Sequence, residues 1–169
     1  MDYRLLSEYK DKYQGKRLAA FDFGLKRIGF AVCDEFHISI TPKTIFYFDD
    51  QYLWDKIADE LNSNEFAAII VGVPYPTKPS QSQNSDLMTK FDLNREIELF
   101  IEKLSSIKLL SSDRKFEIVR YDESFSSKRA VRTMLEIGTK KKNRRIKENI
   151  DKVSAAIILR DFLLDMDGI

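Results

Sequence analysis

The chain has 169 residues, 43% of them hydrophobic and twelve of them phenylalanine, with a formal net charge of +1. That is the size of one ordinary domain with enough apolar material for a substantial core, which excludes a disordered chain and leaves little room for a second domain. A lone cysteine, Cys33, excludes an internal disulfide and any cysteine-rich metal site, and no uncharged apolar run approaches the ~18 residues of a membrane helix.

The opening segment, "MDYRLLSEYKDKYQG", has neither a long apolar core nor a small-residue cleavage site, so a soluble, cytoplasmic protein with no membrane partner is expected. Leu5, Leu6, Tyr9 and Tyr13 fall on one helical stripe that Gly15 would stop. Residues 1–15 are therefore expected to be a helical extension, with the domain proper over 16–169.

Arg17 to Phe23 predicts a strand, and Ile28 to Cys33 its antiparallel neighbour across a turn containing Gly24. A third strand is expected from Ile38 to Phe48. Asp49 and Asp50 are candidate N-caps for a helix through Leu53, Trp54, Ile57, Ala58 and Leu61. The run "AAIIVGVP", closed by Gly72 and Pro74, has the continuous apolar character of a strand covered on both faces. After a polar loop from Tyr75 to Ser85, Leu87 to Leu110 contains a long helix with apolar positions Phe91, Ile97, Phe100, Ile101 and Leu104.

Phe116 to Tyr121 predicts another strand, running into "DESFSS", where Ser126 or Ser127 can cap a helix that Gly138 ends. The last helix carries "DKVSAAIILRDFLL". Three strands, helix, strand, helix, strand and two helices suit an α/β fold, a mixed sheet with helices on both faces.

Ligand sites in such sheets lie beyond the C-terminal ends of parallel strands. Asp22 falls near the end of the first strand, and Glu123 directly follows the strand ending at Tyr121. Asp151 opens the final helix on the face of Ala155, Ile158, Leu159 and Phe162, which must pack on the sheet. Three carboxylates brought together repel, and burial raises the cost of their charge. Hard oxygen donors suit Mg²⁺ or Mn²⁺, and two such ions about 4 Å apart activate a water and stabilise the leaving oxygen in phosphodiester cleavage. The single histidine, His37, gives zinc chemistry little support.

Each acid also has a plainer reading. Asp151 could be a helix N-cap, Glu123 a solvated turn acid, and the Gly72-Val73-Pro74 turn a strand terminator. Asp22, set between phenylalanines on a central strand, is hardest to dismiss. Lys26 and Arg27 could pair with Asp22 or contact a phosphate.

Charge is unevenly spread. Residues 128–147 hold nine Lys or Arg and one acid, a net of +8, so the rest of the chain carries −7. Within "TKKKNRRIK", six cations follow Gly138: Lys140, Lys141, Lys142, Arg144, Arg145 and Lys147. Such a run is usually a solvated loop. Beside a carboxylate site it points to a nucleic-acid substrate, because Lys and Arg neutralise backbone phosphates without reading bases.

In this order and at these separations, "LAAFDFGLKRIGFAVCD", "IIVGVP", "YDESFSS" and "IDKVSAAIILRDFL" resemble the motifs of the YqgF family. The resemblance spans Lys16 to Leu164. The family is described both as a Holliday-junction resolvase and as the nuclease that matures precursor small-subunit ribosomal RNA. It implies an RNase H-like five-stranded sheet, an antiparallel three-stranded meander joined to parallel strands. Asp22, Glu123 and Asp151 match the acidic triad. The implied partners are precursor rRNA or branched DNA and a pre-ribosomal particle; a single site for RNA trimming fits a monomer better than a dimer, whereas junction resolution needs two symmetric sites. Where the family usually has arginine after the glutamate, this chain has Ser124, which cannot replace a planar, bidentate phosphate or carboxylate partner. Ser126 and Ser127 stand for threonines.

Two other classes compete with a nuclease. Actin-like phosphotransferases also begin with an acid-x-glycine hairpin, but they need two domains around a cleft. A binding module without catalysis would hold nucleic acid with steep salt dependence and leave it intact.

Overall fold

The computed structural model describes residues 3–73, 84–110, 115–122 and 145–167. The elements are α1 (Tyr3–Tyr13), β1 (Leu18–Phe23), β2 (Arg27–Cys33), β3 (Ile40–Tyr47), α2 (Leu53–Ser63), β4 (Ala68–Val73), α3 (Asn84–Ser105), β5 (Glu117–Asp122) and α4 (Arg145–Asp167). The strands form one sheet in the order β3-β2-β1-β4-β5. β1 and β2, and β2 and β3, pair antiparallel, while β1, β4 and β5 run parallel. This is the expected mixed sheet, a meander joined to parallel strands.

Side-chain alternation along β1 sorts the core into two layers. Ala19, Phe21 and Phe23 point to one face, where they meet Leu53, Ile57 and Leu61 of α2 and Ile97, Phe100, Ile101 and Leu104 of α3. Leu18 and Ala20 point to the other, against Ile158, Leu159, Phe162 and Leu163 of α4 and Tyr13 of α1. The phenylalanines concentrate on the first face: Phe21 lies 4.8 Å from Phe30 and 5.4 Å from Phe100 between ring centroids, and Trp54 lies 5.6 Å from Phe100. Each such ring, fully buried, contributes about 1.5–3 kcal/mol.

α1 packs against the end of α4. Tyr13 is buried and its hydroxyl donates to Glu117 Oε2 on β5 at 2.5 Å. Tyr9 stacks on Tyr13 at 5.5 Å and meets Phe162 at 5.9 Å, and Lys10 pairs with Asp167 at 3.1 Å. Among the described residues no helix is long and apolar enough to cross a membrane.

Three expectations change. Neither Asp49 nor Asp50 caps α2, whose N-cap position is Tyr52 with no side-chain cap bond. Asp50 instead builds the turn before the helix: its Oδ1 accepts from the Tyr52 amide at 2.9 Å, its carbonyl accepts from the Leu53 amide at 3.0 Å, and it pairs with Lys56. Asp151 does not open α4, because the helix begins at Arg145. Lys, Glu and Ile are good or tolerated helix residues, so "RIKEN" extends the helix by about a turn and a half. Arg145 and Lys147 accordingly belong to α4 and not to a loop.

Gly24 also works differently from a simple release of the backbone. Its φ is not positive; its amide donates to the Arg27 carbonyl at 3.0 Å, and an added Cβ would lie 2.9 Å from that same oxygen. The hairpin needs the missing side chain for a close approach.

Candidate active site

Asp22 shares the α4 face with Leu18 and Ala20, since each is two residues further along β1. Unlike those two, it is half-buried. Its partner across β2 is Gly29 and its partner across β4 is Gly72. Directly paired residues point to the same face, so both flanking positions on this face carry no side chain. A carboxylate at the C-terminal end of the central strand thus sits in a slot walled by backbone on either side.

Gly72 pairs in turn with Tyr121 of β5. Tyr121 points to the α4 face, with its ring 5.7 Å from Phe162 and its hydroxyl donating to Asp165 Oδ2 at 2.5 Å. These bonds tie the end of β5 to the last turns of α4. Two residues beyond Tyr121 is Glu123, which lies outside the described residues. Asp151 is placed in α4 one turn before Ala155, on the face that buries Ala155, Ile158, Leu159 and Phe162. α4 crosses β1, β2 and β3 as well as touching β4.

Lys26 is exposed and Arg27 half-buried at the tip of the β1–β2 hairpin. Arg27 pairs with Tyr47 on β3 and shares the face of Gly29 and Asp22. Lys140, Lys141, Lys142 and Arg144, like Pro74, Ser124, Ser126 and Ser127, lie outside the described residues. Among the described residues no group of three or more His, Cys, Asp or Glu gathers to hold a metal ion, and of the three acids only the side chain of Asp22 is among them.

The opposite end of the sheet holds the other reactive residue types and makes no comparable site. Cys33 is buried, with Sγ accepting from the Leu18 amide at 3.3 Å, and burial pushes its thiol up to about 11, away from a nucleophilic thiolate. His37 stands in the β2–β3 turn with φ 58° and its Nε2 2.8 Å from the Lys16 carbonyl. A cleft of about 930 Å³ opens at this end too, lined by Lys16, Arg17, Glu35, Asn64 and Phe116 among others. Its polar walls hold paired charges, such as Arg17 with Glu35 at 3.0 Å. The glycines flanking Asp22 went unnoticed as a pair in the sequence, since only strand register reveals that they are neighbours.

A mixed sheet of this order, a meander joined to parallel strands with an acid on its central strand, is the sheet that the four motifs imply. A family model described as "RuvX: Holliday junction resolvase" matches residues 16–165. The chain belongs to this family, also called YqgF. Relatives named "Putative pre-16S rRNA nuclease" include those of Sulfurihydrogenibium sp. (34% identical, covering 87% of this chain and 89% of that one) and Amoebophilus asiaticus (35%, 87% and 93%). The relative of that name in Bacteroides fragilis is 35% identical, over 87% of this chain and 95% of its own length. Among solved structures, T. thermophilus RuvC in complex with a Holliday junction substrate overlaps at a TM-score of 0.47 and 15% identity, covering 89% of this chain and 96% of that one.

Proposed function

We propose that this chain is a divalent-metal-dependent nuclease that hydrolyses phosphodiester bonds in structured nucleic acid, with the 5′ end of precursor 16S rRNA as its substrate. The observation that carries this reading is the setting of Asp22: a half-buried carboxylate at the C-terminal end of the central strand, paired across to Gly29 and Gly72 and on the face that α4 covers. Hard oxygen donors fit Mg²⁺ or Mn²⁺, and Asp22, Glu123 and Asp151 are the residues that would hold one or two such ions. When bound, the ions supply water activation and charge neutralisation at the scissile phosphate.

The protein's own part is positioning. β1 fixes Asp22 within a sheet paired on both sides, so the carboxylate needs little reorganisation to meet its ligand. Lys26 and Arg27 at the hairpin tip would serve as phosphate contacts, and the cations between Lys140 and Lys147 would add sequence-independent attraction to the backbone through their charge. Nothing in these roles reads base identity, so selection rests on shape and on the unpaired or paired state of the substrate. We place the enzyme in the cytoplasm, acting as a monomer on a pre-ribosomal particle.

The family description favours a second reading, branched DNA as substrate. Both are tested by incubating the purified protein and Asp22→Asn with Mg²⁺ or Mn²⁺ and either a precursor 16S rRNA fragment or a four-way DNA junction. The account expects trimming of the RNA and a loss of over about a hundredfold in Asp22→Asn, equivalent to roughly 3 kcal/mol of transition-state stabilisation. Preferential cleavage of the junction by a dimer would replace the RNA assignment. Undiminished cleavage by Asp22→Asn would remove the site altogether.

A further inference from the structure

β3 is an edge of the sheet: it pairs with β2 on one side, and among the described residues no strand pairs with the other. Edge strands carry backbone amides and carbonyls that a further strand would satisfy. The Phe48 amide donates to the Lys26 carbonyl at 3.3 Å, and antiparallel pairing alternates from there. Phe46 and Thr44 turn their backbone groups towards Ile28 and Phe30 of β2, whereas Ile45 and Tyr47 turn theirs outward. The Arg27 carbonyl agrees with this phase, since it accepts from Gly24 on the β1 side and leaves Tyr47 opposite it unbonded. The Tyr47 carbonyl is engaged by the Asp50 amide at 3.2 Å, and the Ile45 carbonyl has only the Thr44 hydroxyl, at 3.5 Å. The outward amides of Ile45 and Tyr47 have no acceptor among the described residues.

The first half of this edge is blunted. Pro42 has no amide to offer, and Lys43 is the extra residue of a bulge opposite Phe30 and Ala31. Beyond the bulge, Thr44 to Tyr47 carry neither proline nor charge. A groove of about 610 Å³ follows this second half. One wall is Thr44, Ile45, Phe46 and Tyr47, four successive residues, as only the strand's edge offers, because alternate side chains point to opposite faces. The other wall is α2 with the turn before it, carrying Asp50, Lys56, Asp59 and Glu60. Lys56 pairs with Asp50, and no cation among the described residues pairs with Asp59 or Glu60. One lysine thus stands against three acids, and the groove is acidic.

We propose that this edge binds an extended, lysine- or arginine-rich segment of a partner protein, which adds to β3 as an outer strand beside Thr44 to Tyr47. Backbone pairing with Ile45 and Tyr47 supplies affinity, and cations at every second residue meet Asp59 and Glu60 on the α2 side. The residues between them fall on the other face, beside Ile45 and the exposed Tyr47, and suit apolar side chains. Charge disfavours a second copy of this chain as the occupant, because a twofold pairing of β3 with β3 brings the two acidic walls together on one face. The surface is separate from Asp22, since β2 lies between β3 and β1.

The test is peptide binding by the full chain without nucleic acid or metal, so it does not depend on cleavage. The probe is fluorescein-labelled Lys-Val-Lys-Val-Lys-Val-Lys-amide, followed by anisotropy. Two further versions carry N-methyl groups on alternate residues, one on the valines and one on the lysines. An added strand bonds to its neighbour along one side only, so one methylated version should bind at least about fivefold more weakly while the other keeps the unmodified affinity. Ile45→Pro removes an outward amide that no ladder bond uses and should weaken the unmodified peptide about fivefold, with folding checked by thermal melting. Asp59→Asn/Glu60→Gln leaves the strand intact and should weaken binding about threefold at low salt, the difference fading as salt rises. No binding by wild type, or equal affinity for both methylated versions, would overturn the proposal. A dimer in solution that Ile45→Pro dissociates would overturn it in favour of a second copy. Failure of the nuclease reading would appear separately, as undiminished cleavage by Asp22→Asn.

Discussion

The two ends of β1 face the same helix with opposite chemistry. At the N-terminal end Leu18 and Ala20 are fully buried among Cys33, Ala68 and Ile70, and every neighbour contributes a side chain to a closed layer. Two residues on, Asp22 has glycine on both sides and remains half-buried. The backbone and its pairing are continuous across the boundary. What changes is the size of the neighbouring side chains, from Ala31 and Ile70 beside Ala20 to Gly29 and Gly72 beside Asp22.

Moving the acid down the strand should break the comparison most severely. Ala20→Asp places a carboxylate where no slot exists, and an uncompensated buried charge costs about 3–5 kcal/mol. Urea unfolding should register a loss of that order, and a loss under about 1 kcal/mol would show that the layer around Ala20 is less closed than its burial implies. Closing the slot is the converse. Gly72→Val puts a branched side chain beside Asp22, costing about 1–3 kcal/mol by overpacking but about a hundredfold in cleavage through misplacement of the acid. Gly72→Ala should fall between valine and wild type in a cleavage assay on the same RNA, and a valine variant with wild-type rate would remove the slot's importance.

A smaller effect distinguishes the far end of the sheet. Lys12, through a hydrogen bond, and then the Tyr13 hydroxyl hold the Glu117 carboxyl below its ordinary value of 4.5. A depressed folded-state value means stability that is present above about 4.5 and lost as pH falls through the lower folded value. Lys12 is exposed, so solvent screens the pair and the contribution is small. Melting temperatures of wild type between about pH 3 and 7 should fall more steeply in acid than those of Glu117→Gln; parallel curves would show that the α1–β5 contact carries no net stabilisation.

The elements that the sequence reveals are those encoded by local pattern. The apolar runs of β1 and β4 and the 3.6-residue spacing of Ile97, Phe100, Ile101 and Leu104 are recognisable without partners, and they are where expected. Errors arise where two signals overlap. Arg145 to Asn149 reads as the end of a charged run, yet its residues also suit a helix, and α4 already includes them before Asp151. Asp50 looks like a cap and instead builds the preceding turn, because its side chain reaches the Tyr52 amide before any helical amide.

Features that depend on register are invisible to a linear reading. Gly29 and Gly72 are 43 positions apart and become neighbours of Asp22 only through pairing with β1. Tyr47 likewise joins the hairpin tip only when β3 pairs with β2. Asp22 itself was legible because an acid between two phenylalanines on a central strand demands a partner or a function. Glu123 and Asp151 stand out in the sequence beside expected strand and helix ends; Glu123 lies outside the described residues, Asp151 lies inside α4 and not at its start, and their place in the site is part of the proposal.

Mn²⁺ dependence of cleavage, measured for wild type and Asp22→Asn on one precursor 16S rRNA fragment, tests the central claim most directly. The account predicts that wild-type rate rises with Mn²⁺ to saturation while Asp22→Asn, folded and still able to bind the RNA, stays at least about a hundredfold lower throughout. Cleavage by wild type that needs no divalent ion, or an Asp22→Asn curve that overlays it, would contradict the account.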